Sequence, residues 1–110
     1  MTMISRSNKY HASKVVYEGI TFDSKKEANR WKELRILEVT GQIEELERQV
    51  EYELVPKTGH ERAVKYRADF RYKEGGKTVV EDTKGFKTKD YVIKRKLFKW
   101  RNPEIEFREV

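Results

Sequence analysis

A pair of adjacent glycines between two alternating segments constrains the fold of this chain more than any other feature. Apolar and polar residues alternate over residues 64–72, and a second strand-like segment follows over residues 78–84, with Gly75-Gly76 between them. Glycine accepts the positive φ values that a tight two-residue turn requires. The sequence therefore predicts an antiparallel hairpin whose first strand has a polar face with Lys65, Arg67, Asp69 and Arg71, and an apolar face with Val64, Tyr66, Ala68, Phe70 and Tyr72.

The length of the turn decides which acidic residues face each other. A two-residue loop places Asp69 opposite Asp82, with Lys84 on the same face of the sheet. A four-residue loop keeps both aspartates on one face but shifts them by two residues along the ladder. A three-residue loop brings Glu81 opposite Asp69 instead, because a shift of one residue exchanges the two faces.

Two carboxylates that are forced together need a cation, an extra proton or exposure to water. Mg²⁺ binds through one or two carboxylates and completes its shell with water and phosphate oxygens. In this interpretation Asp69 and Asp82 hold the ion, and Lys84 orients the attacking water or offsets charge in the transition state. The alternative is a surface pair of acids that Lys84, Arg67 and Arg71 neutralise.

Glu27 is a third candidate ligand. Ser24 and Glu27 have the spacing of a capping box, which predicts the start of a helix. Glu27 also shares one helix face with Trp31 and Leu34, the face that packs on the sheet. Its carboxylate could cap the helix or reach a metal ion, and the spacing does not distinguish the two.

The remaining elements follow from similar patterns and predict an α/β (α+β) fold. A mixed sheet flanked by helices, with the order αβββαβ, follows a short N-terminal hairpin. We expect a disordered tip over residues 1–8 and a single domain over residues 9–110. The predicted elements are a hairpin around Glu18-Gly19, a helix from Ser24 to Gly41, strands at Val50–Leu54 and Ile105–Phe107, and a helix at Asp90–Trp100. Gln49 would open its strand, Ile43 and Leu46 would lie in the preceding turn, and Tyr10 and Trp100 are interpreted as packing residues.

The positive charge is concentrated in the second half of the chain. Residues 1–55 contain 9 basic and 10 acidic residues, whereas residues 56–110 contain 16 and 9. A localised basic surface with interleaved aromatic residues attracts polyanions; the alternative is an ordinary solvated helix face. Most of the excess lies in residues 84–101, and the candidates for DNA contact are Lys87, Lys89, Lys94, Arg95, Lys96 and Lys99.

Several protein classes are excluded by composition. The chain has 0 Cys, which excludes disulfides and a thiolate nucleophile and fits a reducing compartment. No apolar run is long enough for a transmembrane helix, and the amino terminus does not resemble a secretory signal. We therefore expect a cytoplasmic protein with no membrane partner.

The ordered set Glu27, Asp69 and Asp82-Thr83-Lys84 resembles the PD-(D/E)XK nuclease superfamily. The chain is also similar, over roughly residues 9–109, to a family of small phage proteins of unknown function that is grouped with these nucleases. The segments that carry the second resemblance are Lys9 to Phe22, Ser24 to Trp31, the Gln49 region, Tyr66 to Phe70, Val80 to Gly85 and residues 94–98.

The resemblance implies a restriction-endonuclease-like core and a role for each matching residue. Asp69 would be the first acid of the motif and Asp82 the second, both as metal ligands, with the Thr83 carbonyl as a further ligand. Lys84 would be the motif lysine. Glu27 would match an acid that some members carry on the first helix and would assist at the metal.

Three further positions complete the comparison. Gln49 would match a glutamine near some members' sites, beside the ligands rather than among them. Glu81 precedes Asp82 and leaves the register of the second acid open. Ala68 stands where the motif's name implies proline.

The function that the resemblance implies is that of a Mg²⁺-dependent endodeoxyribonuclease, with Mn²⁺ able to substitute. Branched DNA such as a Holliday junction is one candidate substrate, and paired nicks would need a homodimer. Such an enzyme would act in phage DNA recombination or processing, in the cytoplasm of a bacterial host. The alternatives are a non-catalytic nucleic-acid-binding module and a subunit of a phage recombination complex.

Overall fold

The computed structural model describes residues 13–83 and 87–110, and it has an α+β fold. The predicted disordered tip and Lys84 therefore lie outside the described residues. The predicted order of elements, αβββαβ after a short hairpin, is confirmed. The elements are β1 (Val15–Tyr17), β2 (Ile20–Phe22), α1 (Lys25–Val39), β3 (Glu44–Val55), β4 (Val64–Glu74), β5 (Lys77–Asp82), α2 (Lys89–Arg101) and β6 (Glu106–Glu109).

The last four strands form one mixed sheet in the order β3-β4-β5-β6. The β3-β4 and β4-β5 pairs are antiparallel, whereas β5 and β6 run parallel because α2 carries the chain back across the sheet. β1 and β2 form a separate two-stranded antiparallel sheet. Neither helix in the described part of the chain is long and apolar enough to cross a membrane.

Two apolar clusters cover opposite faces of the sheet. Val79 belongs to the cluster beneath α1 and the next residue, Val80, to the cluster beneath α2, and consecutive strand residues point to opposite faces. The α1 cluster comprises Phe22, Ala28, Trp31, Leu34, Ile43, Phe70, Tyr72 and Val79. The α2 cluster comprises Leu54, Tyr66, Ala68, Val80, Tyr91 and Phe98.

The prediction that the apolar residues of β4 share one face is wrong. Phe70 packs beneath α1, but Ala68 packs beneath α2. The change of face occurs at Asp69 and its neighbour Gln49 on β3, which lie in a gap of the ladder between the pairs Arg48–Phe70 and Val50–Ala68. Gln49 has a φ of 56°, a left-handed conformation that interrupts the regular strand. The irregularity therefore lies at the predicted catalytic acid.

Strand β3 also begins earlier than predicted. It starts at Glu44, so Leu46 and Gln49 lie within the strand and not at a turn or a strand end. The register shifts between Glu44 and Glu47, where Glu45 has a φ of 56°. This bulge resets the alternation of side chains, so the apolar pattern of the segment did not resemble a strand.

Candidate active site

The hairpin that was predicted to assemble the site has the expected turn and register. Gly75 and Gly76 have φ values of 58° and 78°, as a two-residue turn requires. Glu74 pairs with Lys77, and the ladder continues in that register as far as the pair of Phe70 and Glu81. It ends there, so Asp69 and Asp82 do not form the opposed ladder pair that the sequence predicted.

Asp69 contacts the residue that follows Asp82. The backbone N–H and the hydroxyl of Thr83 both donate to Asp69 Oδ2, each at 2.7 Å. The carboxylate of Asp69 therefore lies against the peptide that joins Asp82 to Thr83. Asp69 is 8% exposed, so this contact forms in a largely buried setting.

Gln49 connects Asp69 to Glu27. Gln49 Nε2 lies 2.9 Å from Glu27 Oε2 and 3.5 Å from Asp69 Oδ1. The three side chains come from α1, β3 and β4, and Glu27 is 2% exposed. The fold thus brings two distant carboxylates together in a buried position, with one amide group between them. These three residues are called the acid cluster below.

Glu27 caps its helix and joins the acid cluster at the same time. Ser24 Oγ accepts a hydrogen bond from the Glu27 N–H at 3.1 Å, as the capping box predicts. The second hydrogen bond of the capping box differs slightly from the usual pattern. Glu27 Oε1 accepts it from the N–H of Asp23, at 3.2 Å, and not from that of Ser24. Capping uses Oε1 and the contact with Gln49 uses Oε2, so the two roles do not compete.

The acid cluster favours a bound proton or cation. Burial raises the pKa of the Glu27 carboxyl above its usual value, and the charge of Asp69 is the next largest cause. Arg48 opposes this effect weakly, since its Nη2 lies 3.9 Å from Glu27 Oε2. A buried acid whose ionised form is disfavoured by a second acid is a common property of functional sites.

Asp82 is fully buried and faces the α2 side of the sheet. Tyr66 donates its phenolic hydrogen to Asp82 Oδ2 at 2.6 Å. Burial raises the pKa of Tyr66, and the charges of Asp82 and, to a smaller extent, Asp69 contribute. The two aspartates therefore act on one phenol, although their side chains contact different partners. Lys84, the predicted third member, lies outside the described residues.

Glu81 faces α1 and is held there by Arg30. Arg30 Nε and Nη2 lie 2.7 and 2.6 Å from the two carboxylate oxygens of Glu81, which is fully buried. The hydroxyl of Tyr72 also donates to Glu81. The pair attaches α1 to β5 and, since Arg30 lies one turn beyond Glu27, it fixes the position of Glu27 over the sheet.

Two residues near the acid cluster escaped the sequence analysis. Arg30 could have been found from its i+3 spacing to Glu27, which places both on one helix face. Arg48 could not, because its contacts with Glu27 and Phe22 join segments that are distant in the sequence. The Arg48 guanidinium lies 4.8 Å from the centre of the Phe22 ring. Arg71, which the alternative interpretation made a counter-charge for the aspartates, pairs with Glu47 at 2.6 Å.

The basic stretch divides into paired and unpaired side chains. Lys87 and Arg95 both bind Glu109, at 3.1 and 2.9 Å. Within residues 13–83 and 87–110, the remaining predicted DNA contacts form no ion pair; they are Lys89, Lys94, Lys96 and Lys99. A cavity lies along this helix and β6, and the acid cluster contributes no residue to its lining; it is lined by Arg95, Lys96, Lys99, Phe107 and Glu109.

The donor atoms near the acid cluster suit a hard divalent cation. They are carboxylate, amide and hydroxyl oxygens, the ligand type that Mg²⁺ and Mn²⁺ prefer. The part of the chain that the structure describes has no group of three or more His, Cys, Asp or Glu residues arranged to hold an ion. Mg²⁺ commonly binds through one or two carboxylates and keeps several water ligands.

The comparison with known proteins identifies a family. Residues 7–110 match the model of a family described as a protein of unknown function (DUF1064). The chain belongs to this family. No curated protein and no solved structure is significantly similar to it. The matched range includes the acid cluster, Asp82 and the basic helix α2, but the family's description assigns none of them a role.

Proposed function

We propose that this DUF1064 protein is a metal-dependent endodeoxyribonuclease of the PD-(D/E)XK type. The observation that carries the proposal is the buried approach of Glu27 and Asp69, with Gln49 between them. Two acids in this arrangement destabilise the protein unless a cation or a proton joins them. A site of this kind, at the point where two strands of a sheet separate, supports catalysis better than it supports stability.

Asp69 and Asp82 would hold Mg²⁺, with Glu27 and the Thr83 carbonyl assisting, and Mn²⁺ would substitute. The contact of Asp69 with the Asp82–Thr83 peptide supports this assignment, because it puts the Asp69 carboxylate beside the backbone that carries Asp82. When bound, the ion would offset the charge that develops on the phosphate. Gln49 orients the two carboxylates, and Lys84 keeps its predicted role beside the attacking water.

DNA is the proposed substrate because the acid cluster occurs with a basic helix. Lysine side chains that form no ion pair with the described residues, such as Lys96 and Lys99, are available to phosphate groups. Phosphate contacts do not read sequence, so selection by DNA structure is part of the proposal. Branched DNA in phage recombination fits this mode, and paired nicks would require a homodimer.

A second candidate function is supported by the hydrogen bonds of the aspartates. Asp69 Oδ2 accepts from Thr83, and Asp82 Oδ2 accepts from Tyr66. Both acids could therefore be structural, in a module that binds nucleic acid without cleaving it. This alternative predicts salt-dependent binding and no stabilisation by metal ions.

A cleavage assay distinguishes the two functions. The parent protein, Asp69→Asn and Lys84→Ala are incubated with four-way junction, duplex and single-stranded DNA in Mg²⁺, Mn²⁺ or EDTA. We expect metal-dependent cleavage by the parent and a loss of at least about 100-fold in each variant, the scale of losing a catalytic group. Glu53→Gln, an exposed acid on β3, is the control and should cleave normally.

Two results would contradict the enzyme function. One is the absence of cleavage by the parent protein on every DNA structure with either metal. The other is cleavage that survives in Asp69→Asn, since this would locate the activity elsewhere or in a contaminant. If an RNA substrate of the same sequence and structure is cleaved faster than the DNA, RNA would be the substrate class and not DNA.

A further inference from the structure

One stripe on the outer surface of α2 combines lysine with large apolar side chains. Lys89, Ile93, Lys96 and Trp100 follow each other at i, i+4, i+7 and i+11, which places them along one line of the helix. All four are exposed, and Trp100 and Ile93 are 77% and 58% exposed. The expectation that Trp100 packs in the core is therefore wrong. These four residues are called the α2 stripe below.

The α2 stripe lies opposite the buried side of the helix. Tyr91 and Phe98 are 7% and 0% exposed and pack against Tyr66 in the α2 cluster. At 100° per residue, the α2 stripe is centred about half a turn away from them. Trp100 thus projects from the protein although the fold offers an apolar cluster on the other side of the same helix.

The charge around the α2 stripe indicates an anionic occupant. Lys89 and Lys96 form no ion pair in the described part of the chain, and Lys99 and Arg101 flank Trp100 in the last turn. Lysine is depleted in protein–protein interfaces, and a second copy of this chain would bring two basic helices together. A protein or a self-association partner therefore fits this surface poorly.

The exposed indole of Trp100 indicates which kind of anionic ligand fits the α2 stripe. A lysine-lined groove with an aromatic platform is the usual arrangement for single-stranded nucleic acid, since every base has a face that stacks. A closed duplex offers its phosphates to lysine but keeps its bases stacked on each other. Lysine alone would suffice for a duplex, and an exposed tryptophan adds affinity only where a base is unpaired.

We propose that the α2 stripe binds DNA with unpaired bases, with Trp100 stacking on a base and Lys89 and Lys96 contacting phosphates. This inference rests on the proposed nuclease function and specifies its substrate as DNA that contains a single-stranded segment, such as an overhang, a flap or the open centre of a junction. The acid cluster would cut such DNA, and the α2 stripe would select it.

Tryptophan fluorescence tests binding without cleavage. Trp31, the other tryptophan, is 8% exposed and stacks on Phe70, so Trp100 is the accessible fluorophore. The Asp69→Asn protein is titrated with an oligothymidylate of roughly 12 nucleotides, within the range of single-strand sites, and with a blunt hairpin of equal nucleotide number. We expect strong quenching and tighter binding with the single strand.

Variants assign the binding to the α2 stripe. Trp100→Ala should weaken single-strand binding by about 5- to 150-fold, the range for loss of one base-stacking contact, and Trp100→Phe by less. Both variants lack the accessible fluorophore, so their affinities are measured by the anisotropy of a dye-labelled oligothymidylate. Lys96→Gln should reduce the salt dependence of log affinity by about 0.7, as expected for one phosphate contact on a single strand. Lys65→Gln is the matched control, because Lys65 is an exposed lysine on β4 that pairs with Glu51, and it should change binding little.

Three outcomes would overturn the inference. They are equal or tighter binding of the blunt hairpin, unchanged affinity in Trp100→Ala, and a concentration-dependent dimer in sedimentation that Trp100→Ala dissociates. Each leaves the nuclease function standing, since the cleavage assay is separate. Conversely, single-strand binding that depends on Trp100 in a protein without cleavage activity would support the α2 stripe and refute the enzyme.

Discussion

Replacing Asp69 by asparagine should stabilise the protein in the absence of metal ions, although it should abolish cleavage. The substitution removes one of two neighbouring buried charges and keeps an oxygen that accepts the two hydrogen bonds from Thr83. Catalytic sites often carry such a cost in stability. The prediction therefore separates a site built to bind a cation from a hydrogen-bond network built for stability.

The contacts of Gln49 set the magnitude. Its amide nitrogen lies 2.9 Å from Glu27 and 3.5 Å from Asp69, so those two carboxylate oxygens are at most about 6.4 Å apart. Two unit charges at this distance repel by roughly 2.5 kcal/mol at an effective dielectric constant of about 20. Weakening two charge-assisted hydrogen bonds costs about 1 kcal/mol. The net gain is about 1.5 kcal/mol, or roughly 6 °C in Tm for a domain of this size.

Urea unfolding in EDTA near pH 8 measures this gain. Adding Mn²⁺ should then stabilise the parent protein by about 2.7 kcal/mol when its concentration is 100 times Kd and should leave Asp69→Asn unchanged. Glu53→Gln is the control for a general charge effect, and as an exposed substitution it should stay within about 0.5 kcal/mol of the parent.

The pH dependence checks the same mechanism. The folded-state pKa of Glu27 is raised above its usual 4.5, so the native state holds a proton that the unfolded state releases. Its contribution to the free energy of unfolding therefore falls as pH rises from about 4.5 through the folded-state pKa, and it is constant at higher pH. The fall should be smaller in Asp69→Asn and absent in Glu27→Gln.

One result would refute the reasoning about the acid cluster. If Asp69→Asn unfolds in EDTA more easily than the parent by about 1 kcal/mol or more, its hydrogen bonds outweigh the repulsion from Glu27. Together with no response of the parent to Mn²⁺, this would identify Asp69 as a structural residue. The non-catalytic binding module would then be the better description of the protein.

Three further predictions concern residues around the site. Gln49→Gly should be more stable than Gln49→Ala by about 1 kcal/mol, because alanine has a Cβ that makes the left-handed backbone costly and glycine has none. Urea unfolding compares the two variants, and equal free energies of unfolding would contradict a strained backbone at Gln49. Tyr66→Phe should lose about 2 kcal/mol by removing a donor from the buried Asp82 carboxylate, whereas a loss below about 0.5 kcal/mol would show that this bond is dispensable. The hydrogen bond from Tyr91 lowers the pKa of Glu109 to about 2, so its contribution to stability is present above pH 4.5 and lost as pH falls towards 2. Glu109→Gln should flatten acid unfolding in that range, and an unchanged profile would refute the assignment.

Local signals in the sequence were sufficient for most of the fold. The glycine pair specified the turn and register of the central hairpin, and Ser24 specified the start of α1 through its capping bond with Glu27. Each signal acts within a few residues, so it could be read without knowing the rest of the fold. β3 was different, because its bulge at Glu45 has no residue that favours a positive φ, and only pairing with β4 specifies it.

The candidate site shows the same division between local and non-local information. The sequence predicted that Asp69 and Asp82 share one face of the sheet and that Glu27 either caps its helix or reaches a metal there, and the structure brings Glu27 and Asp69 together through Gln49. Gln49 has a left-handed φ, and Asp69 contacts Thr83 and does not oppose Asp82. No spacing rule within β4 predicts this contact, because it joins residues from different segments of the chain. A regular ladder would instead have opposed the two aspartates directly, where like charges are destabilising, and the end of the β4-β5 ladder at Phe70 and Glu81 avoids that repulsion.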